Sequence, residues 1–237
     1  MITYASITKT GDRMVNEDSV STSAAGDSYL FALADGLGGH GLGEVASKFV
    51  TDTCADVFRA GGGLEECFLN SQNGLLEQQS QRGNHDELKT TLALLSIKEN
   101  RVCWGHVGDS RIYRFTKNKL AARTLDHSVP QMLVMSGEIR EKAIRHHEDR
   151  NRLLRVLGVE WENPKYALSD EVALQLADSF LLCSDGFWEW IVEKEMIRLL
   201  KASASPEQWL SLMEAKALKN GQGKDMDNYS AIAVFAR

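Results

Sequence analysis

The chain has 237 residues, 43% of them apolar and 25% charged, with a formal net charge of −6. That is the composition of a soluble globular protein with a sizeable core. Scattered Lys and Arg exclude a basic nucleic-acid stripe, and no apolar run approaches the roughly 20 residues that span a bilayer. The opening residues Met1 to Ala5 have neither the basic start nor the apolar core of a leader, so cytoplasmic residence is expected.

Tyr29 to Ala34 is a short apolar run, expected as a buried strand. Beyond the following glycines, Ala46, Phe49, Val50, Thr53, Cys54, Val57 and Phe58 recur at i, i+3, i+4 spacing and predict an amphipathic helix. Gly61-Gly62-Gly63 ends it, and a second helix follows through Leu64, Cys67, Phe68 and Leu75. From Thr90 the period changes. Residues 90–97, 101–107, 111–115 and 119–123 read as strands with short polar connectors, which predicts an antiparallel meander.

Residues from about 124 to 158 are polar and weakly patterned, and carry His127, His146 and His147; an insertion lying over the body is expected. Phe180 to Ser184 reads as another buried strand. Ser205-Pro206-Glu207-Gln208 is a capping-box arrangement opening a helix expected to bury Trp209, Leu212 and Met213. Ser230 to Phe235 closes the chain as a strand. Cys54, Cys67, Cys103 and Cys183 form no C-x-x-C pair and each lies in an apolar pattern, as core thiols do. With three prolines, no linker composition and no repeat, a single domain over 1–237 is expected. The class is α+β, with helices on the outer faces of antiparallel sheets.

Four acidic positions share one context. Asp35, Asp109 and Asp185 each follow an apolar run, and Asp227 precedes the last one. Asp-Gly is also a common hairpin signal, but Asp35-Gly36 and Asp185-Gly186 lead into helix starts rather than return strands. Carboxylates at several strand ends can converge on one rim. Two of them about 4 Å apart repel by roughly 4 kcal/mol at an effective dielectric of about 20. Divalent cations relieve this, and an all-oxygen shell suits Mg²⁺ or Mn²⁺ rather than zinc. Arg13, four residues before the acidic pair Glu17-Asp18, is either a salt-bridge partner or a bidentate phosphate ligand.

Taken in order, Arg13…Glu17-Asp18, Asp35-Gly36-Leu37-Gly38-Gly39-His40, Gly43-Glu44, Thr90-Thr91, Gly108-Asp109-Ser110-Arg111, Asp126-His127-Ser128, Ser184-Asp185-Gly186 and Asp227-Asn228 resemble the metal-dependent PP2C-type Ser/Thr protein phosphatases, above all the compact bacterial members. The resemblance spans nearly the whole chain. It implies a central antiparallel β-sandwich flanked by pairs of helices, and hydrolysis of phosphoserine and phosphothreonine in opposition to Ser/Thr kinases. It implies two Mg²⁺ or Mn²⁺ ions activating a bridging water. Asp35 would bridge the ions, the Gly36 carbonyl would hold the second, and Asp185 and Asp227 would complete the first. Glu17 and Asp18 would orient water, and Arg13 would grip the phosphate. A third ion would use Asp109, Asp185 and Glu189, although some relatives have Asp at the Glu189 position. Residues 124–158 resemble the family's flap, with His147 and Asn151 matching its pattern and Glu148 replacing its usual Pro. Where some members carry a histidine proton donor directly after Asp-Gly, this chain has Leu37; His40 is a substitute candidate, and a water is the simpler one. Phosphorylated proteins, among them a Ser/Thr kinase and its targets, are the implied partners of a monomeric enzyme.

Two other readings compete. Gly36 to Gly41 fits the G-x-G-x-x-G dinucleotide pattern, which requires a parallel βαβ unit and an acid at the end of the next strand. A non-catalytic phosphoprotein-binding domain is the other, and the intact set of Arg13, Asp35, Asp185 and Asp227 argues against it.

Overall fold

The computed structural model describes residues 1–38, 41–83 and 87–237. One sheet has the order β1 (Ile2–Lys9), β11 (Tyr229–Ala236), β10 (Asp178–Cys183), β6 (Arg111–Thr116), β7 (Lys119–Arg123). The other runs β2 (Asp18–Ala25), β3 (Ser28–Asp35), β4 (Leu92–Lys98), β5 (Arg101–Val107), β8 (Ala167–Leu168), with β9 (Val172–Ala173) also on β5. Every strand pair among the described residues is antiparallel.

Why the central strands read as unbroken apolar runs follows from the layering. Side chains alternate between faces along a strand, and here both faces are buried. Phe31, Leu33, Ala93, Leu95, Phe180, Leu182, Ile232 and Val234 meet between the two sheets. Their neighbours Leu30, Ala32, Ala34, Leu92 and Leu94 turn outward to α1 (Gly43–Arg59) and α2 (Leu64–Arg82). On the opposite outer face, Leu181, Cys183, Ala231, Ala233 and Phe235 pack with α4 (Asp185–Trp188), α5 (Glu193–Lys201) and α6 (Pro206–Gly221). The order is helices, sheet, sheet, helices.

β1 and β2 carry no such signal. Each is an edge strand without an unbroken apolar run: β2 is mostly Ser, Thr and Ala, and β1 intersperses Ile2, Tyr4 and Ile7 with polar residues; pairing with β11 and β3 fixes them as strands. The continuous meander expected from Thr90 onward is not what forms. β4 pairs with β5 and β6 with β7, but β5 and β6 belong to different sheets. The connector Gly108-Asp109-Ser110 therefore crosses the sandwich instead of closing a hairpin. A short loop forbids a parallel return; it does not oblige its two strands to pair.

The helix α1 is amphipathic as expected, but its fully buried stripe runs through Ala46, Ser47, Val50, Thr51, Cys54 and Val57, with Phe49 and Phe58 at its margin. Ser47 and Thr51 are accommodated because Thr51 Oγ1 bonds back to the Ser47 carbonyl at 3.1 Å and meets Ser19 Oγ of β2 at 2.8 Å. Ser205 caps α6 by accepting from the Gln208 amide, and the Gln208 side chain accepts from Ala204 N at 2.7 Å, one residue before the usual capping-box donor. Trp209 and Met213 are buried as expected. Leu212 is not: it is 36% exposed, and Leu210 fills the core because it lies one turn ahead of Met213 on the inward face.

Residues 124–158 leave the body after β7 and return beside their own start. Ser128 pairs with Leu153, and Leu154 N donates to the His127 carbonyl at 2.8 Å. Between these ties lie α3 (Val129–Met135) and a short 3-10 helix (Glu141–His146). No described helix is long and apolar enough to cross a membrane. Truncating Leu182, sealed between the sheets, to Ala should cost about 2–5 kcal/mol of stability. Urea unfolding measures this, and an unchanged midpoint would refute a close-packed inter-sheet layer.

Candidate active site at the rim of the sandwich

Antiparallel neighbours run in opposite directions, so the end of one strand and the start of the next share an edge. β3 ends at this edge with Asp35 and β10 two residues short of Asp185, which opens α4, while β2 and β11 begin there with Asp18 and, just ahead of β11, Asp227. Asp18 stands directly opposite Asp35 in the β2–β3 register. The sheet-crossing turn adds Asp109. The result is a cavity of about 500 Å³ whose wall includes Arg13, Glu17, Asp35, Asp109, Asp185 and Asp227. Gly36, Thr91, Asn151 and Asn228 line it too. Asp18 lies behind this wall.

Hydrogen bonds fix each contributor. Asp18 Oδ2 accepts from Ser184 Oγ at 2.8 Å, and that same hydroxyl accepts from Ser230 N at 2.9 Å, which ties one sheet to the other beneath the cavity. Thr91 Oγ1 accepts from Asp35 N at 3.0 Å and meets Ser110 Oγ at 2.7 Å. Asn228 holds the loop before β2: its Oδ1 accepts from Glu17 N at 2.8 Å, and its Nδ2 donates to the Thr10 and Val15 carbonyls. Gly36 must be glycine, because a Cβ there would collide with the Gly43 carbonyl. The positions of Ser184 and Asn228 beside acidic residues are visible in the sequence, whereas Thr91 has no acidic neighbour there; the contacts that make all three structural are not visible.

The Asp109 turn is anchored residue by residue. Gly108 sits at φ +99°, a conformation that favours glycine, and exchanges two bonds with His127: His127 N donates to its carbonyl at 2.9 Å, and its N–H donates to His127 Nδ1 at 3.2 Å. The Asp109 carbonyl accepts from Trp188 Nε1 at 3.0 Å. Arg111 binds Asp126 bidentately at 2.7 and 2.6 Å with both side chains almost fully buried, and lies 3.5 Å from the centre of the Trp188 ring. His127 stacks on His106 at 4.5 Å. Burial, then the neighbouring His106, pushes His127 down to about 3, so its ring stays neutral and Nδ1 remains an acceptor.

Electrostatically the rim is under stress. Loss of water raises the Asp35 and Asp109 carboxyls well above the usual range, and neighbouring carboxylates raise them further. Asp185 is raised by burial and then by Asp227, and its carboxyl is within hydrogen-bonding reach of Asp35. Asp18 is pushed up to about 7, chiefly by burial. Glu17 is raised by burial and by Glu44. Arg13 supplies counter-charge at the cavity: Nε and Nη2 take both Asp227 oxygens at 3.0 and 3.2 Å, and Nη1 takes Asp225 at 3.0 Å.

This donor set fits hard divalent cations. It is all oxygen, it is under mutual repulsion, and Asp18 Oδ1 is buried with no partner. As the side chains stand, no three acid, imidazole or thiol groups among the described residues enclose an ion. Asp227 is one reason, since Arg13 occupies both its oxygens. Of the other expected site residues, Asn151 reaches the cavity. Glu189 and His147 do not: Glu189 is held by Arg150, and both line an adjoining hollow. His40 lies outside the described residues. The dinucleotide reading fails because the strand pairs flanking Gly36 are antiparallel and two helices, not a second parallel strand, follow it.

Residues 9–221 match the protein phosphatase 2C family. Serine/threonine phosphatase stp of Listeria welshimeri is 31% identical over 215 residues, spanning 86% of this chain and 83% of its own. Serine/threonine protein phosphatase PstP of Mycobacterium tuberculosis is 31% identical over 88% of this chain and 40% of its own. Among solved structures, Staphylococcus aureus Stp1 superposes with a TM-score of 0.89 at 29% identity, covering 100% of this chain and 96% of that one. The catalytic domain of PstP in complex with two manganese ions gives 0.82 at 28% identity, with 99% and 97% covered. Fold, motif order and these likenesses agree, and the chain belongs to the protein phosphatase 2C family.

Proposed function

We propose that this chain hydrolyses phosphoserine and phosphothreonine in proteins, in opposition to Ser/Thr kinases, with two Mg²⁺ or Mn²⁺ ions at the Asp35 rim. The observation that carries the proposal is the convergence of Asp35, Asp185 and Asp227 beside Arg13 in one cavity. Bound there, the ions supply Lewis-acid activation of water and offset the carboxylate repulsion. Asp35 would serve both ions, the Gly36 carbonyl the second, and Asp185 with Asp227 the first. Asp227 would hold an ion in place of Arg13, whose planar guanidinium would then offer paired N–H donors to two phosphoryl oxygens. Glu17 on the cavity wall, and Asp18 behind it through its unpartnered Oδ1, would accept hydrogen bonds from water and so set its direction of attack on phosphorus. Asp109 and Asp185 are the carboxylates offered to a third ion, with Glu189 engaged by Arg150.

Among the described residues no imidazole lines the cavity, and Leu37 stands where a histidine would follow Asp-Gly. We therefore assign the proton for the leaving serine or threonine oxygen to water. Residues 124–158 act as a flap on one domain, touching the cavity through Asn151 and Leu153. The substrates are phosphorylated proteins, a Ser/Thr kinase and its targets among them, met by a monomer. A cytoplasmic setting belongs to the same reading, since all four cysteines are free thiols.

Hydrolysis of a phosphothreonine peptide with Mn²⁺, and its loss in chelator, tests this directly; turnover that survives chelation would falsify the metal mechanism. Asp35→Asn and Asp227→Asn should each lower kcat by roughly two to three orders of magnitude with the fold retained by circular dichroism. Arg13→Ala should raise KM for the peptide more than it weakens Mn²⁺ binding measured by calorimetry.

Stability of the chelated protein should fall with rising pH. Asp18 releases its proton near 4 when unfolded and near 7 when folded, so the folded state holds more protons between those values. The contribution is complete below about pH 4 and is lost as pH rises through about 7. Asp35, Asp109 and Asp185 act in the same direction. Thermal midpoints in chelator should drop from pH 5 to pH 8, and Mn²⁺ should remove most of that drop. A midpoint in chelator that climbs over this range would contradict the carboxylate stress described above.

A further inference from the structure

A second hollow of about 330 Å³ adjoins the catalytic cavity. One side is formed by Arg145, His146, His147 and Arg150 at the far end of the 124–158 segment. The other is formed by Glu189 and Trp190 after α4, and by Lys224 and Asp225 before β11. Arg13 is common to both spaces: it lines the catalytic cavity and binds Asp225, which lines the hollow.

Four buried side-chain polar atoms lack a partner among the described residues: Asp18 Oδ1, Gln79 Oε1, Arg145 Nη1 and Trp190 Nε1. The two donors in that set both belong to residues lining this hollow. An unpaired buried N–H has given up water and received nothing in return, and the debt is greater on a charged group. Arg145 is only 8% exposed, and its Nη2 is spent on Glu193 Oε1 at 2.6 Å. The acids of the wall are committed as well. Arg150 holds Glu189, and Arg13 holds Asp225. Lys224 forms no ion pair among the described residues, and the imidazoles of His146 and His147 stand at the same hollow. The charge left over is positive, and two residues of the wall each carry a buried N–H without an acceptor. Such a place is built for an oxyanion.

We propose that this hollow binds an oxyanion carried by the substrate chain, the carboxylate or second phosphate of a residue flanking the phosphorylated serine or threonine. The proposal rests on the phosphatase reading above. It makes Arg145, Trp190 and Lys224 a selectivity site: the phosphate to be cleaved goes to Arg13, and an extended peptide, advancing about 3.3 Å per residue, carries a neighbouring anion past the Arg13–Asp225 pair into the hollow.

The test compares phosphothreonine peptides with Mn²⁺-loaded protein. One set has neutral flanks, a second has Glu placed singly at each of four positions on either side, and a third has the phosphonate analogue of phosphoserine at those positions. We expect KM at least fivefold lower than for the neutral peptide at one or two adjacent positions, with kcat within twofold. A phosphonate advantage over Glu assigns a dianion to the site; equal effects assign a carboxylate. Lys224→Glu, on an exposed side chain, should bring the acidic-to-neutral KM ratio to about one, and Arg145→Lys should reduce it. Equal KM for all peptides with the wild-type protein, or an undiminished preference in Lys224→Glu, overturns the proposal and leaves the phosphatase reading standing. Failure to hydrolyse any peptide, the neutral one included, overturns both.

Discussion

Repulsion among carboxylates is the constraint on which this end of the molecule depends. Asp18, Asp35, Asp109, Asp185 and Asp227 come from five places in the chain, and antiparallel pairing delivers them to one edge. Asp18, Asp35, Asp109 and Asp185 are desolvated by the sandwich below them and repelled by neighbouring carboxylates, and both effects drive them toward the protonated form. A core of hydrocarbon gains nothing from such an arrangement. It persists because the layers beneath are packed on both faces and absorb the cost, and it becomes favourable once positive charge is supplied. Arg13 supplies some of that charge in the structure, and cations supply it in the activity proposed.

The acids are only as useful as their positions are fixed, and the positions are fixed by neutral and cationic partners. Ser184 bridges the sheets through Asp18 and Ser230, so the two halves of the rim cannot slide independently. The sheet-crossing turn is held from three directions, by His127 at Gly108, by Trp188 at the Asp109 carbonyl, and by the buried Arg111–Asp126 pair stacked on the same indole. A buried ion pair of this kind contributes little net stability, since desolvation of both charges offsets their attraction. Its directional hydrogen bonds instead select one geometry for the turn. Trp188 lies in α4, which begins with Asp185, so two of the rim carboxylates are fixed through one indole.

Much of this was legible beforehand, for a physical reason in each case. Strands buried on both faces must be continuous apolar runs, so β3, β10 and β11 announced themselves. The α1 and α2 helices carry one apolar face each and announced themselves by period. β1 and β2 did not, because an edge strand has no unbroken apolar run and owes its place to the neighbour that pairs with it. The crossing at Asp109 was hidden as well. A three-residue connector between two strands looks the same whether it closes a hairpin or changes sheets, and only the packing of Val107 on one outer face and Tyr113 on the other distinguishes them.

The sequence by itself determined the acidic set, its order and its chemical type. Which residues carry oxygen donors, and their places at the ends of apolar runs, are properties of the chain that no packing can alter. It determined the layered α+β class for the same reason, since periodicity records which faces must be buried. Tertiary structure alone decided which of these residues meet. It put Asp227 on Arg13, drew Asp225 into the same contact, sent Glu189 to Arg150 instead of the central cavity, and left Arg145 Nη1 and Trp190 Nε1, on two residues of one hollow, without acceptors. Pairing between charges hundreds of positions apart depends on which strand ends share an edge, and that is settled by sheet order, a property of the folded chain.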